Sequence, residues 1–390
     1  MGGIMRNIWE NLGGDAATLL SLALILLAGF LLTRLTKRVK LPNVTGYILA
    51  GVLIGPYGLG LISQSSVSRM AFISDVALSF IAFGVGRFFR RETLRETGPR
   101  ILGVTLAESL LAGVLVTLGI RFIFRADWSF SLLLGAIATA TAPASTMMTI
   151  RQYKARGTFV NMLLQVVTID DAVCLIAFSV ATAVIGAESG AAFSARDVLL
   201  PLGLNLAALL LGFLGGFLLC ALITPRRSED NRLILTISLL LGISGSCCAV
   251  DVSPLLACMM VSAVYVNRTG DETLFAQMEH FSPPVLSMFF VVSGMRLDIT
   301  SFKTLGVMGI AYFFSRIVGK YAGAYLGCLA ARAPREVRNY MGFALIPQAG
   351  VAIGLAFLGE RILPAETGEI LLTVILSSSV LYELIGPACA

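Results

Sequence analysis

Charge is scarce in this chain. Of its 390 residues only 13% are Asp, Glu, Lys or Arg, against about a quarter in soluble domains. A water-soluble fold would have to hide an apolar content of 57%, and a bilayer removes that need. Histidine is scarcer still. His280 stands alone, which excludes a His-based metal centre. The seven cysteines show no metal-ligand spacing. Six of them (Cys174, Cys220, Cys247, Cys248, Cys258 and Cys328) fall inside apolar segments and read as small core residues. A cleavable leader is not expected, because a polar, charged N-terminus precedes a first apolar stretch too long for a signal-peptide core.

What is present is a succession of long apolar stretches. A spanning helix needs roughly 20 mostly apolar residues. About thirteen such stretches are visible, centred near 16–34, 43–62, 70–88, 100–120, 128–150, 158–186, 197–222, 232–248, 251–266, 281–297, 304–331, 338–358 and 366–388. With a mean hydropathy of +0.87, the chain is expected to be an all-α polytopic membrane protein. Residues 1–390 are expected to form a single membrane transporter domain with short loops and no soluble appendage.

The net charge of +6 would suggest nucleic acid in a soluble protein. Here the basic residues sit in loops. Arg34, Lys37, Arg38 and Lys40 follow the first span. Arg87, Arg90, Arg91, Arg95 and Arg100 follow the third, and Arg151, Lys154 and Arg156 the fifth. Arg226, Arg227 and Arg232 follow the seventh, and Arg332, Arg335 and Arg338 the eleventh. Lys and Arg mark the cytoplasmic side. With thirteen spans, the N-terminus is expected outside and the C-terminus in the cytoplasm, with no nucleic-acid partner.

The chain also repeats itself. Ser79–Gly86 resembles Ser287–Gly294, Gly98 matches Gly306, and residues 163–173 match 371–381, all at a shift of 208. Repeat one covers about 41–186 and repeat two about 249–390, with linking helices at about 197–248. Each copy holds five spans. The copies begin an odd number of spans apart, so the second enters from the opposite side. Two inverted repeats around a midplane site are a mark of secondary transporters.

Few ionisable residues fall mid-span: Glu108, Asp170, Asp171, Arg316 and Lys320. Each is costly in lipid unless paired or wetted, and is a functional candidate by default. Glu108 and Arg316 are related by the repeat shift (316 − 108 = 208) and have opposite charges. They are expected to form a structural core ion pair near the pseudo-axis, with any part in transport secondary. Asp170 and Asp171 are adjacent within one span, and their repeat mates are Ser378 and Ser379. Two close carboxylates resist ionising together, which suits exchange of a proton for a cation. Lys320 is their natural partner, and Arg316 precedes it by one helical turn. A purely solvated acid pair is disfavoured by the apolar residues on both sides.

Two spans carry breaks in matching places. The fifth contains Thr139-Ala-Thr141-Ala-Pro143-Ala-Ser145-Thr146, and the twelfth Leu345-Ile-Pro347-Gln348-Ala-Gly350. Proline removes a backbone donor and kinks a helix. Crossed broken helices at corresponding positions point to a binding site, where freed carbonyls can hold a cation. An ordinary proline kink is the plainer alternative.

On these residues the chain resembles the monovalent cation/proton antiporter superfamily, of the two-aspartate sodium/proton type. The likeness rests on Ile169-Asp170-Asp171, on Lys320 in Ser315-Arg316-Ile-Val-Gly-Lys320, and on the two breaks. Phe289-Phe-Val-Val-Ser-Gly294 and Leu41-Pro42 with Gly46 and Gly51-Val-Leu-Ile-Gly55-Pro56 add to it. The resemblance implies a homodimer with elevator-type alternating access, and the lack of a targeting peptide and the compact size favour a cell (inner) membrane. The resemblance also implies that Asp171 carries Na+ (or Li+) or H+ while Asp170 pairs with Lys320, and that two aspartates make the exchange electrogenic. It implies no enzyme activity and no cofactor beyond the transported Na+ and H+. Thr141 and Ser145 are expected to add oxygens to the ion site. Thr141-Ala142-Pro143 departs from the Thr-Asp-Pro frequent in electroneutral relatives, and Gln348-Ala349-Gly350 from the charged residue of others.

Three other readings stand beside this one: a K+/H+ antiporter, an organic-anion/sodium symporter on the same fold, and an intramembrane aspartyl protease. The protease needs its carboxylates on two facing helices and a Gly-x-Gly-Asp helix, and neither is present. A K+ channel would need a filter-like Thr-Val-Gly run, also absent.

Overall fold

The structure is a computed structural model. It describes residues 14–39, 41, 43–87, 89–142, 146, 150, 154–188, 195–224, 226–250, 252, 254–296, 302–348 and 350–389. Among the described residues there are helices and turns and no strand. The helices are α1 (Gly14–Arg38), α2 (Asn43–Ile54), α3 (Gln64–Arg69), α4 (Phe72–Gly86), α5 (Arg91–Ile123), α6 (Trp128–Ala138), α7 (Thr158–Glu188) and α8 (Ala195–Leu222). They continue as α9 (Glu229–Cys248), α10 (Pro254–Thr269), α11 (Thr273–Phe281), α12 (Pro283–Met295), α13 (Phe302–Ala330), α14 (Arg335–Ala344), α15 (Gly350–Ile362) and α16 (Ala365–Cys389).

Each of the thirteen apolar stretches holds helix. Three segments are long and apolar enough by themselves to cross a membrane: Asp15–Arg38, Arg100–Ile123 and Glu229–Cys248. The stretch near 43–62 is helical only as far as Ile54, because Gly55-Pro56 follows and proline cannot continue the ladder. The stretch 232–248 becomes α9, opened by Ser228, whose hydroxyl accepts from the amide of Asn231 at 3.4 Å. Glu229 and Asp230 then lie at the positive end of the helix dipole.

The outward faces are apolar. Leu206, Leu210, Phe213 and Phe217 stand exposed at helical spacing along α8, as do Leu27, Leu31 and Leu35 on α1. Such faces suit lipid, and a helix meets its own backbone hydrogen bonds there.

The starts of α5, α6 and α7 (residues 91, 128 and 158) recur in α13, α14 and α16 (302, 335 and 365). The most extensive packing among the described residues joins α5 to α13. Glycine makes that contact possible. A Cβ added at Gly319 would stand 2.5 Å from Ala112 Cα, and one at Gly323 would stand 2.5 Å from Glu108 Cα. Gly327 is nearly as close to Val104. Small residues spaced four apart let two backbones touch, which is how membrane helices associate without a hydrophobic driving force between them.

The buried apolar residues form two clusters. One gathers Val116, Ala138, Ala140, Cys174, Tyr312 and Phe313 with much of the rest of the chain. The smaller one gathers Val104, Val167, Ile169, Ala324, Val337 and Leu345. Along α5 and α13 the ionisable residues fall between the two, whereas Asp170 of α7 lies among residues of the smaller one.

Candidate functional site

Two helices stop short at the centre of the molecule. α6 ends at Ala138 and α14 at Ala344, and each leaves unspent carbonyls that carry about half a negative charge per helix end. The two ends meet. The amide of Ala142 donates to the carbonyl of Pro347 at 2.9 Å, and Gln348 Nε2 donates to the carbonyl of Ile137 at 2.8 Å. Gln348 in turn accepts from the Tyr312 hydroxyl at 3.0 Å.

Arg316 closes this crossing. Its Nε donates to the carbonyl of Ala138 (2.9 Å) and Nη1 to that of Ile346 (2.7 Å), while Nη2 reaches the carbonyl of Ala140. One planar guanidinium, with five donors in a fixed fork, thus spans the ends of both broken helices. It rests on the Tyr382 ring, 4.6 Å from the centroid.

One turn further along α13, Lys320 does the same for the rest of the first break. Its ammonium donates to the carbonyl of Thr139, to Thr141 Oγ1 at 3.0 Å and to Asp170 Oδ2 at 2.7 Å. Asp170 comes from the middle of α7. Glu108 of α5 approaches the same ammonium, with Oε2 2.7 Å from Nζ. Between the two acids lies Ser109, whose hydroxyl is 3.1 Å from Glu108 Oε1 and hydrogen-bonds Asp170 Oδ1. Glu108, Asp170, Arg316 and Lys320 are fully buried. Two carboxylates, one ammonium and one guanidinium are therefore held together in a dry interior, where charges persist only when paired.

The expected pairing of Glu108 with Arg316 is corrected here. Glu108 contacts Lys320 instead, and Arg316 makes its bonds to backbone carbonyls. The physical reason is depth along α13. The stripe Gly319–Gly323–Gly327 sets α5 so that Glu108 lies level with Gly323, one turn past Lys320 and two past Arg316. A second expectation also changes. The carbonyls freed by the breaks were to serve a cation, but Ala138, Ala140, Ile346 and Thr139 give theirs to the protein's own Arg316 and Lys320. Thr141, expected as an ion ligand, here accepts from Lys320.

Of the other expected site residues, Pro347, Gln348 and Gly350 lie at the second break. Pro143 and Ser145 lie outside the described residues, as does the side chain of Asp171, whose backbone sits in α7. Among the described residues, no group of three or more His, Cys, Asp or Glu is placed to hold a metal. A cavity of about 620 Å³ lies beside the site between α5, α6 and α7, lined by aliphatic residues such as Leu110, Val173 and Ile176 and reaching Thr139. Its lining offers a cation almost no oxygen.

Sequence reasoning missed Ser109, Tyr312 and Tyr382. For Tyr312 a signal existed: residues 312, 316 and 320 follow one another at helical spacing and share a face. Ser109 adjoins a mid-span acid. Tyr382 carries no local signal.

Comparisons with known proteins bear on the family and the fold. The profile of the family described as sodium/hydrogen exchanger, transmembrane, matches residues 22–385. The chain is 18% identical to the sodium proton antiporter MjNhaP1 of Methanocaldococcus jannaschii in its structure at pH 8. The TM-score is 0.76, covering 95% of this chain and 96% of that one. A structure of the same antiporter from electron microscopy gives a TM-score of 0.77 at 17% identity, over 97% and 96% of the two chains. Among curated proteins, a glutathione-regulated potassium-efflux system protein of Haemophilus influenzae is 23% identical over 312 residues, which is 79% of this chain. The chain spans about half the length of that relative (50%).

Proposed function

Since the chain belongs to the sodium/hydrogen exchanger family, a family of membrane transporters and not of enzymes, we propose that it exchanges Na+ or Li+ for H+ across a cell membrane. The observation that carries this reading is the buried Asp170–Lys320 pair set against two broken helix ends. Asp171, next to Asp170 on α7, binds the cation or the proton but not both. Asp170 and Lys320 rearrange as the cation enters. Asp170 and the Thr141 hydroxyl, once the lysine has moved, supply further oxygens, joined by Ser145. Neutralising the acid lets the site change sides. Two inverted repeats, 41–186 and 249–390, with linking helices at 197–248, provide the symmetric scaffold for that exchange of access.

With both aspartates charged, exchange is electrogenic. The movement is elevator-like and the unit a homodimer. The basic loops set the N-terminus outside and the C-terminus in the cytoplasm, in a bacterial-type inner membrane. A second reading has one observation in its favour. The Haemophilus relative is named for potassium efflux, so K+ is the alternative cargo.

The test is proton flux in proteoliposomes holding the purified protein, followed with a pH dye on adding Na+, Li+ or K+, with and without a clamped potential. A signal driven by Na+ or Li+ and sensitive to potential supports electrogenic sodium/proton exchange. A response to K+ alone selects the second reading. Silence with all three in folded protein overturns cation exchange and leaves the organic-anion symporter. Asp171→Asn is expected to abolish flux, and retained exchange would sink its assignment.

A further inference from the structure

We propose that Glu108 is a second seat for the Lys320 ammonium, a positioning residue that holds the lysine when Asp170 turns to the transported cation. This rests on the exchange reading above and adds how a buried ammonium stays paired while its first partner is engaged elsewhere.

The argument is a count of protons. An ammonium has three N–H donors. In this structure they go to the carbonyl of Thr139, to Thr141 Oγ1 and to Asp170 Oδ2. Glu108 Oε2 lies as close to Nζ as Asp170 does, at 2.7 Å. It receives no hydrogen bond, because the two groups are out of line. The other oxygen of each acid lies against the Ser109 hydroxyl, whose single proton the two must share. Glu108 is thus fixed, fully buried, and has one acceptor oxygen idle beside a cation.

When Asp170 Oδ2 is drawn to an incoming cation, one N–H of Lys320 is released. The idle Glu108 oxygen is within reach, and a small swing of the lysine's end, with its Nζ, brings the two groups into line. Without that second seat, a buried charge loses its partner, one of the costliest changes a protein interior can suffer. The cation would then have to compete with Lys320 for the only acid that holds it. The backbone contact between Gly323 and Glu108 fixes the seat in place.

The experiment is cation-driven flux in proteoliposomes with the potential clamped, comparing wild type, Glu108→Gln, Lys320→Met and the double variant. Glu108→Gln is expected to raise the KM for the cation about tenfold, the worth of one charge-assisted hydrogen bond, with a smaller change in kcat. In the Lys320→Met background the same substitution is expected to leave KM where Lys320→Met put it. Glu108→Asp, which keeps the charge but shortens the reach, gives a smaller rise and serves if Glu108→Gln does not fold. Where Lys320→Met transports too slowly to fit, cation-dependent melting in detergent gives the same comparison. An unchanged KM in Glu108→Gln, with wild type active, overturns the inference alone. So does a rise that persists without Lys320, since Glu108 would then be acting on the cation directly. Wild type silent to every cation removes the exchange reading, and this inference with it.

Discussion

A Cβ added to Gly323 of α13 would stand 2.5 Å from the Cα of Glu108 on α5, and the two backbones touch at that level. Neither helix has a side chain to give way there. Gly323→Ala is therefore expected to push the helices apart and destabilise the protein by about 1–3 kcal/mol, as overpacking does. Gly323→Val is expected to cost more and to abolish flux. Melting of the two variants in detergent, beside Gly103→Ala, where an added Cβ meets nothing within 4 Å, is the check. Equal melting of Gly323→Ala and wild type would show that the contact is slack.

Arg316 caps three carbonyls from both broken helices. Arg316→Ala leaves them buried and unpaired, at about 1–3 kcal/mol for each group. The protein is expected to fold poorly or lose several kcal/mol of stability. Arg316→Lys is expected to recover little, because one ammonium does not span the positions of a guanidinium fork. Recovery of full thermal stability by the lysine variant would contradict the capping role.

Asp170→Asn keeps the shape of the site and removes one of its two adjacent charges. It frees Lys320 of its hydrogen-bonded acid and leaves Glu108 to hold it. Exchange in this variant is expected to lose sensitivity to the membrane potential. Flux measured at clamped potentials of both signs reads this directly, and an unchanged dependence on potential would refute it.

Away from the site, Asp271 stitches three helices together in the loop between α10 and α11. Its Oδ1 accepts from the amide (2.9 Å) and hydroxyl (2.6 Å) of Thr273, and its Oδ2 accepts from the Tyr265 hydroxyl at 2.7 Å and pairs with Arg232 of α9. Burial works to raise the carboxyl's pKa, but these hydrogen bonds and the arginine outweigh it and hold it below the ordinary 3.8. The sign follows. The unfolded chain takes up the proton first as pH falls, so the stabilisation is complete above the ordinary carboxylate range. It is lost as pH drops through the lower native value. Asp271→Asn is expected to lower stability by about 1–2 kcal/mol at neutral pH, and the gap to wild type should close in acid. A gap that is constant with pH would count against the charge.

Much of this was legible in the sequence. Each apolar stretch read from hydropathy holds helix, and three of the helices, Asp15–Arg38, Arg100–Ile123 and Glu229–Cys248, are long and apolar enough to cross a membrane. Pro347, and the scarcity of charge around Asp170 and Lys320, marked the centre. The partner of Glu108 was not legible. Symmetry at a shift of 208 relates Glu108 to Arg316 but says nothing of how far one helix slides along the other. That offset is set by Gly319, Gly323 and Gly327, whose meaning appears only once a neighbour's backbone lies against them. The fate of the freed carbonyls was hidden for a similar reason. A helix break predicts unpaired acceptors, but not whether an ion or a side chain from another helix will fill them.

Of the residues around the Lys320 ammonium, Glu108 and Ser109 ride on α5 and Lys320 on α13, helices fused along a line with no side chains between. Thr139 and Thr141 are tied by the Arg316 fork to that same pair. Asp170 alone arrives on α7. Four of the five helical elements at the centre are thus tied to one another through Arg316, Lys320 and the glycine contact, and α7 meets the lysine through Asp170. A shift of α7 by a fraction of a turn would change which acid the lysine faces and part Asp170 from Ser109, while the contacts among the other four stayed made.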